Sequence, residues 1–335
     1  MLGKVVVFVC LGTLTAGAET IVFQGCDSTP NKYFTFTKLN GNNNHIAKVS
    51  LKKHIPTDAL GNVTLLIPGS YERKGQQYQV YIGEKAFSKV RDNSNIRYDK
   101  KRLDITLKFV KNYGHFVKMT SNCKEMFADS DFVKIDFAGI DETAKITNTQ
   151  MMFWLCNRLR KINFGNFDTS NVTNMQSMFQ YCCSLKELDL SKFDTRKVTD
   201  MSLLFMECNK LEDLDITSFD TSSVTTMQSM FNGCNSIQRL DLSNFNTKNV
   251  QKMLYMFDKC ENLKKVNLTS FNTEIVSDMC YMFRGCSKLK QLDLSSFDMR
   301  DVLYYGDMFE SCSNLVVKEP CCMTLQQRKY IQSLS

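Results

Sequence analysis

A 26-residue period runs through more than half of this 335-residue chain. The dipeptide Met-Phe, once Leu-Phe, returns every 26 residues and begins at Met126, Met152, Met178, Leu204, Met230, Met256, Met282 and Met308. In seven of these eight repeats a cysteine stands four residues later, at Cys156, Cys182, Cys208, Cys234, Cys260, Cys286 and Cys312. One repeat of this length cannot bury its own apolar residues, whereas stacked copies bury them continuously. The period therefore predicts a solenoid.

Each repeat contains a Leu-x-x-Leu-x-Leu block that predicts a strand. In the block Leu185–Leu190 the last residues alternate, so Leu188 and Leu190 point inward while Glu187 and Asp189 point outward. Strands at the same place in successive repeats stack as a parallel sheet. We therefore expect one short parallel strand per repeat.

A second segment of the repeat has a different spacing. From Val172 to Phe179, apolar residues stand at i, i+3, i+6 and i+7, which predicts a helical turn. Between the strand and this segment, Asp194 and Thr195 are turn formers because their side chains bond nearby backbone N–H groups. The expected fold is an α/β solenoid, a right-handed coil with one strand per repeat.

The repeats at both ends of the array are irregular. In the first repeat Ser130 replaces the cysteine, and Pro320 follows the last strand, where a central strand could not continue. Irregular ends are typical of capping repeats. The predicted segments are a signal peptide (1–18), a β-rich region (19–122) with a degenerate repeat near 62–90, the solenoid (123–315) and a C-terminal cap (316–335).

The N-terminal residues predict export from the cytosol. Lys4 precedes an apolar stretch from Val5 to Leu14, and Ala16-Gly17-Ala18 supplies the small residues of a cleavage site. The apolar stretch is shorter than the roughly 20 residues that span a bilayer, and no later segment is long enough. We expect a secreted protein, or one at the extracellular surface, without a transmembrane segment after cleavage.

Charge is unevenly distributed along the chain. Residues 19–122 contain 17 Lys and Arg against 8 Asp and Glu, whereas the array is nearly neutral. A basic region can bind nucleic acid, but no known nucleic-acid motif is present. Solubility, or attraction to acidic surface polymers, is the favoured interpretation, and no nucleic-acid partner is expected.

The repeat resembles that of the BspA-like leucine-rich-repeat surface proteins, a family of microbial cell-surface and secreted proteins. The phrases Phe167-Asp-Thr-Ser-Asn-Val-Thr-Asn-Met175 and Met230-Phe-Asn-Gly-Cys-Asn-Ser-Ile-Gln-Arg-Leu-Asp-Leu242 carry the resemblance, which covers most of residues 126–315. Upstream, Tyr78–Phe87 is similar to a related repeat. The resemblance implies a leucine-rich-repeat-like solenoid used for adhesion or recognition, without enzymatic activity.

The cysteine column admits two interpretations. Neighbouring strands lie about 4.8 Å apart, so a disulfide between adjacent repeats, such as Cys182 with Cys208, is geometrically conceivable. Buried free thiols acting as small apolar residues are the favoured interpretation. Outside the column, Cys321 and Cys322 are the better disulfide candidates, and Cys26 and Cys123 could pair with each other or staple the N-terminal region.

The sequence offers little for metal or catalytic chemistry. Zinc-type Cys or His spacing is absent, and the methionine columns have the spacing of a core rather than of a copper site. The aspartate column of the strands suggests calcium, but calcium-binding coils also need glycine-rich turns, which are lacking. Hydrolase, phosphate-loop and dinucleotide motifs are also absent. We expect no catalytic residues, cofactor or metal.

One outward position of the strand varies from repeat to repeat. This strand strip, expected on the concave face of the solenoid, consists of Lys161, Glu187, Asp213, Arg239, Lys265 and Gln291. Varied residues among fixed ones allow a particular partner to be recognised. The sequence therefore predicts a protein-binding or adhesion module whose partner is a protein or cell-surface macromolecule. The alternative is a surface-coat component that self-associates.

Overall fold

The computed structural model describes residues 121–140 and 146–333 and, outside these ranges, the strands given below. The chain forms two compact units. The first unit comprises residues 1–146 and 155–168, and the second comprises residues 147–154 and 169–335.

The first unit contains eleven strands within its described residues. They are β1 (Ala18–Val22), β2 (Phe34–Lys38), β3 (Ile46–Leu51), β4 (Asn62–Pro68), β5 (Ser70–Arg73), β6 (Gln76–Ile82), β7 (Asp104–Val110), β8 (Lys118–Met119), β9 (Phe132–Asp136), β10 (Glu142–Thr143) and β11 (Lys161–Asn163). One sheet has the all-parallel order β1-β4-β7-β9-β11. The other has the order β10-β8-β6-β3-β2, and β5 pairs with β6.

The five-stranded sheet contains strands from both sides of residue 122, the expected boundary between the β-rich region and the solenoid. Strand β7 pairs in parallel with β9, with a register irregularity between Ile105 and Thr106. Strands β4 and β7 lie within residues 19–122, the region expected to be β-rich. Beside the sheet, Phe137 contacts Phe127, Phe164 and Phe167 at ring-centroid distances of 5.6, 5.9 and 5.4 Å. This aromatic cluster is buried.

The second unit is built of stacked coils. Its elements are β12 (Glu187–Asp189), β13 (Asp213–Asp215), β14 (Arg239–Asp241), β15 (Lys265–Asn267), β16 (Gln291–Asp293), β17 (Val316–Lys318) and α1 (Leu325–Gln332). The strands pair in parallel as β12-β13, β14-β15 and β16-β17. A separate ladder of single parallel bridges joins seven coils through Asn148, Asn174, Asp200, Thr226, Lys252, Asp278 and Tyr304. The expected parallel solenoid with one short strand per 26-residue repeat is therefore confirmed.

Equivalent phenylalanines lie above one another through the second unit. The Met-Phe rings stack face to face, with centroids 5.3 to 5.8 Å apart, from Phe153 through Phe179, Phe205, Phe231, Phe257 and Phe283 to Phe309. The valines and methionines of the Val-x-x-Met segment, such as Val224 and Met227, are fully buried beside them. The core is thus a set of columns that run along the stack.

The predicted helical turn is not present, and the α/β label is not confirmed. Residues 146–324 are all described and contain no helix. In each coil the Met-Phe segment instead contains two residues with positive φ, one before the methionine and one before the cysteine. In one coil these are Tyr255 (φ 57°) and Lys259 (φ 59°). A left-handed residue interrupts a right-handed helix. The segment is therefore a pair of tight turns whose apolar residues face the core as those of a helix would.

A short helix follows the last strand. Thr324 caps α1 in a capping box with Gln327. The buried Gln327 amide also donates to the carbonyls of Met299 and Val302, at 2.8 and 3.2 Å. The Tyr330 hydroxyl accepts a hydrogen bond from the Phe309 N–H at 3.3 Å. Helix α1 therefore supplies hydrogen bonds to part of the last coil.

Several expectations concern residues outside those described. They include Met1–Gly17 of the expected signal peptide, Cys26, and part of the degenerate repeat near residues 62–90. The signal peptide, the segment boundaries and the handedness of the coil remain predictions. Among the described residues, no helix is both long and apolar enough to cross a bilayer.

Candidate functional site

The strand strip is exposed on the short strands. Each strand in the second unit places its middle residue inward and its two end residues outward, because side chains alternate along a strand. The six predicted residues all have exposed side chains: Lys161, Glu187, Asp213, Arg239, Lys265 and Gln291. Lys161 belongs to the first unit, where it lies opposite Lys134. The other five occupy successive coils of the second unit.

The strand register places like charges opposite each other. Glu187 pairs with Asp213, and Arg239 pairs with Lys265. Like charges directly opposite each other on neighbouring strands destabilise a sheet. The strip of the second unit therefore has an acidic part followed by a basic part, an arrangement unfavourable for the isolated protein.

The preceding position in the chain adds charge only to the basic part. There the exposed Lys264 and Lys290 reinforce it, whereas in the acidic part the exposed Lys186 offsets the exposed Glu212. Lys264 also donates to Gln238 Oε1 at 2.9 Å. Glu212 is not among the predicted strip residues, because the strip was defined from one outward column alone. Summing charge over each coil would have identified it.

The aspartate column beside the strip is used in turns. The hydroxyl and the N–H of Ser191 bond Asp189 Oδ1 at 2.6 and 3.0 Å, and these bonds hold the pKa of the Asp189 carboxyl below its ordinary value. The same arrangement recurs at Asp215 with Thr217. Hydrogen bonds from Ser295 and then Lys318 lower the pKa of Asp293 to about 2. These carboxylates stay ionised at neutral pH and close the turn after each strand.

The aspartate column shows no metal-type grouping. Within the described part of the chain, no three His, Cys, Asp or Glu side chains lie close enough together to hold a metal ion. Its oxygen atoms are bonded by hydroxyls and backbone N–H groups, as at Asp189 and Asp215. The arrangement supports a role in turn formation.

The cysteines of the column are thiols rather than disulfides, and all are buried except Cys312, which is half-buried. Each thiol donates to the carbonyl of the phenylalanine one coil earlier, for example Cys208 to Phe179 at 3.2 Å and Cys260 to Phe231 at 3.1 Å. Burial raises the pKa of Cys260 to about 12. The favoured interpretation of the column as buried free thiols agrees with the structure, and the thiols also act as hydrogen-bond donors between coils.

A column of threonines, in the turn that follows each strand, links neighbouring coils. Thr221 Oγ1 donates to the Asn246 carbonyl at 3.0 Å and accepts from the Asn246 N–H at 2.8 Å. The same pair of bonds joins Thr247 to Asn272 and Thr273 to Asp298. For this column, the sequence pattern at Thr195 predicted a role only in the local turn. Their identity in successive repeats was the available signal for a contact between repeats.

The two cysteines at the C-terminal end are also free thiols in this structure. Cys321 is exposed and its sulfur donates to the Phe297 carbonyl at 3.1 Å. The disulfide expected for Cys321 and Cys322 is not tested by this geometry and remains a prediction.

Stacked 26-residue coils, each with one short parallel strand, define the class of protein: a parallel β-solenoid with leucine-rich-type repeats. Comparison with protein families matches residues 120–239 and 227–319 to the family described as "Mycoplasma protein of unknown function, DUF285". The chain belongs to this family. No curated protein matches it.

Three solved structures are similar to parts of this chain. A leucine-rich cell surface protein from Faecalibacterium prausnitzii is 16% identical, over 88% of this chain and 54% of its own, with a TM-score of 0.35. A leucine-rich-repeat protein from Bacteroides ovatus is 17% identical over 91% and 97%, with a TM-score of 0.31. The pneumococcal vaccine antigen PcpA is 15% identical over 84% and 78%, with a TM-score of 0.37. The chain spans about half the length of the Faecalibacterium protein.

Proposed function

We propose that this chain is a secreted or cell-surface recognition module without enzymatic activity, which binds a protein through the five strip residues of its second unit. The observation that carries the proposal is the register of Glu187 with Asp213 and of Arg239 with Lys265. A purely structural array gains nothing from like charges in direct opposition. A partner with the complementary order of charge removes both repulsions when it binds.

The expected partner surface follows from this order. It carries a basic patch that faces Glu187 and Asp213, and an acidic patch that faces Arg239 and Lys265. Because all these side chains are exposed, their contribution lies mainly in association rate and orientation, and it weakens as salt screens the charges.

Charge reversal within the strip tests the proposal. The double variant Glu187→Lys, Asp213→Lys should lose attachment to cells and to extracellular-matrix proteins, measured with the labelled mature chain by flow cytometry and surface plasmon resonance. The matched control is Glu261→Lys, Glu274→Lys, which makes the same charge change at two exposed residues outside the strip. Equal binding by both double variants would rule out the strip as the binding surface.

The self-associating coat component remains the alternative. It predicts oligomers that grow with protein concentration in light scattering, whereas the recognition module predicts a monomer. The strip variants distinguish the two further, because a charge reversal on the strand face leaves the ends of the stack unaltered.

A further inference from the structure

Two columns of outward side chains change character at the last coil of the second unit. In the six earlier coils these two neighbouring positions are polar: Thr147, Asn148, Thr173, Asn174, Thr199, Asp200, Thr225, Thr226, Gln251, Lys252, Ser277 and Asp278. In the last coil they become Leu303 and Tyr304, whose side chains are 71% and 61% exposed. Terminal repeats of a solenoid usually present a polar outer face. The change to apolar residues therefore indicates a surface that is covered by something else.

The backbone at the same place is an open edge. In the preceding coil, the N–H groups of Met279 and Tyr281 donate to Tyr304 and Gly306 of the last coil, and the Ser277 carbonyl accepts from Leu303. The equivalent groups of the last coil are the N–H groups of Tyr305 and Asp307 and the carbonyl of Leu303. None of these three has a hydrogen-bond partner among residues 146–333. Residues 303–307 thus form an edge that lacks its next strand.

The C-terminal segment covers the neighbouring parts of the last coil but leaves this edge open. Before the edge, the Met299 N–H donates to Cys322 and the Val302 carbonyl accepts from Gln327. After it, the Phe309 N–H donates to the Tyr330 hydroxyl. The open edge is therefore a gap of a few residues between two capped positions.

The chemistry of the gap identifies the kind of occupant. The backbone of an extended polypeptide can bond the N–H groups of Tyr305 and Asp307 and the carbonyl of Leu303. Its side chains can also pack on Leu303 and Tyr304. Three exposed carboxylates, those of Asp301, Asp307 and Glu310, stand on this coil. A second copy placed symmetrically on the edge would bring these carboxylates together, which is unfavourable.

We propose that residues 303–307 bind an extended segment of a basic protein partner, which adds a parallel strand to the end of the solenoid. The strand supplies carbonyls to Tyr305 and Asp307 and an N–H to Leu303. Its apolar side chains cover Leu303 and Tyr304, and its Lys or Arg side chains face the carboxylates. This surface differs from the strand strip, so its occupancy does not depend on the proposed function.

The test uses the full chain and a displayed library of random decapeptides. Selection should enrich peptides in which apolar and basic residues alternate. Their dissociation constants should rise at least tenfold for the double variant Leu303→Thr, Tyr304→Asn, which restores residues found at the same two positions in other coils. The control Ile275→Thr changes another exposed apolar residue, 46% exposed, and should bind as the native chain does.

A second measurement follows the backbone of the edge directly. Addition of an enriched peptide should slow amide hydrogen exchange at Tyr305 and Asp307. N-methylation of the peptide amide that meets Leu303 should abolish both the binding and the slowing. Enrichment that is equal on the native chain and the double variant would overturn the proposal. A concentration-dependent dimer that the double variant abolishes would also overturn it, in favour of a second copy of this chain.

Discussion

In the second unit, the residues at the buried corners of the coils are nearly constant, whereas those of the exposed strand strip vary. At the corners the residue is nearly constant, as in the phenylalanine, cysteine and threonine columns. Each phenylalanine stacks on its equivalent one coil away, and each cysteine or threonine side chain bonds the backbone of a neighbouring coil. In the strip the residue differs in every coil and faces solvent. Constancy therefore marks the contacts that hold coils together, and variation marks positions that are available to a partner.

The strongest test of this comparison is removal of one ring from the phenylalanine stack. Phe231 is fully buried between Phe205 and Phe257, so Phe231→Ala should lower the free energy of unfolding by about 3–5 kcal/mol, through lost transfer energy and the cavity left behind. Urea denaturation followed by circular dichroism measures the change. The control Val316→Ala, at a side chain 67% exposed, should change it by less than about 0.5 kcal/mol. Similar losses in both variants would contradict the distinction between buried corner residues and exposed strand residues.

A smaller effect is expected at the threonine corner. Thr221→Val keeps the shape of the side chain but removes both hydrogen bonds of Thr221 to the backbone N–H and carbonyl of Asn246. At roughly 1 kcal/mol for each bond, the loss should be about 2 kcal/mol. The matched variant Thr217→Val removes a hydroxyl on the strand face that bonds the exposed Asp215 and should cost much less. Equal losses in urea denaturation would show that the bond between coils adds nothing to stability.

The thiol column predicts a loss of stability at alkaline pH. Burial raises the pKa of Cys260 from 9.0 to about 12, so the folded state holds this proton more tightly than the unfolded state does. Its contribution is fully present below pH 9 and is lost as the pH rises from 9 towards 12. At pH 10 the loss from this one thiol is about 1.4 kcal/mol.

The variant Cys260→Ala isolates that contribution. The difference in unfolding free energy between the native chain and the variant should shrink by this amount between pH 8 and pH 10, measured by urea denaturation under reducing conditions. A difference that stays constant with pH would mean that the Cys260 thiol ionises as readily in the folded chain as in the unfolded one.

The smallest effect concerns the left-handed residues of the turns. Lys259 and Gly285 occupy the same position in successive coils, with φ of 59° and 74°. A side chain in this conformation is strained, whereas glycine is not. Lys259→Gly should therefore raise the unfolding free energy by up to about 1 kcal/mol, and Gly285→Ala should lower it. Thermal unfolding of the two variants checks the opposite signs, and a shared sign would contradict the explanation.

Much of the stacked architecture was predictable from the sequence. The block Leu185–Leu190 predicted β12 and the inward position of Leu188, because alternation and a fixed period are properties of the sequence itself. The helical turn expected for Val172–Phe179 was wrong, because apolar spacing reports which residues face the core but not the backbone angles that carry them there. Left-handed positions occupied by Ser177 and Tyr181 have no sequence signal as clear as glycine.

The candidate site was predictable in its residues but not in its pairing. The variable position of each strand gave Glu187, Asp213, Arg239 and Lys265 as outward residues, and all four are exposed. Their direct opposition depends on the register between strands, which only the assembled sheets define. The same holds for Leu303 and Tyr304, whose change from polar to apolar is visible in the sequence. That these two residues lie beside an open edge is visible only in the structure, where helix α1 leaves residues 303–307 uncovered.

The sequence by itself determined the period, the inward residues and the stacking of equal side chains, because a 26-residue repeat can bury its apolar groups only against its own copies. The tertiary structure decided which atoms those side chains meet: thiols and hydroxyls on the backbone of the adjacent coil, like charges across paired strands, and an unpaired edge at the end. Those contacts depend on distances between coils, and residues 26 positions apart in the chain acquire them only when the coils stack.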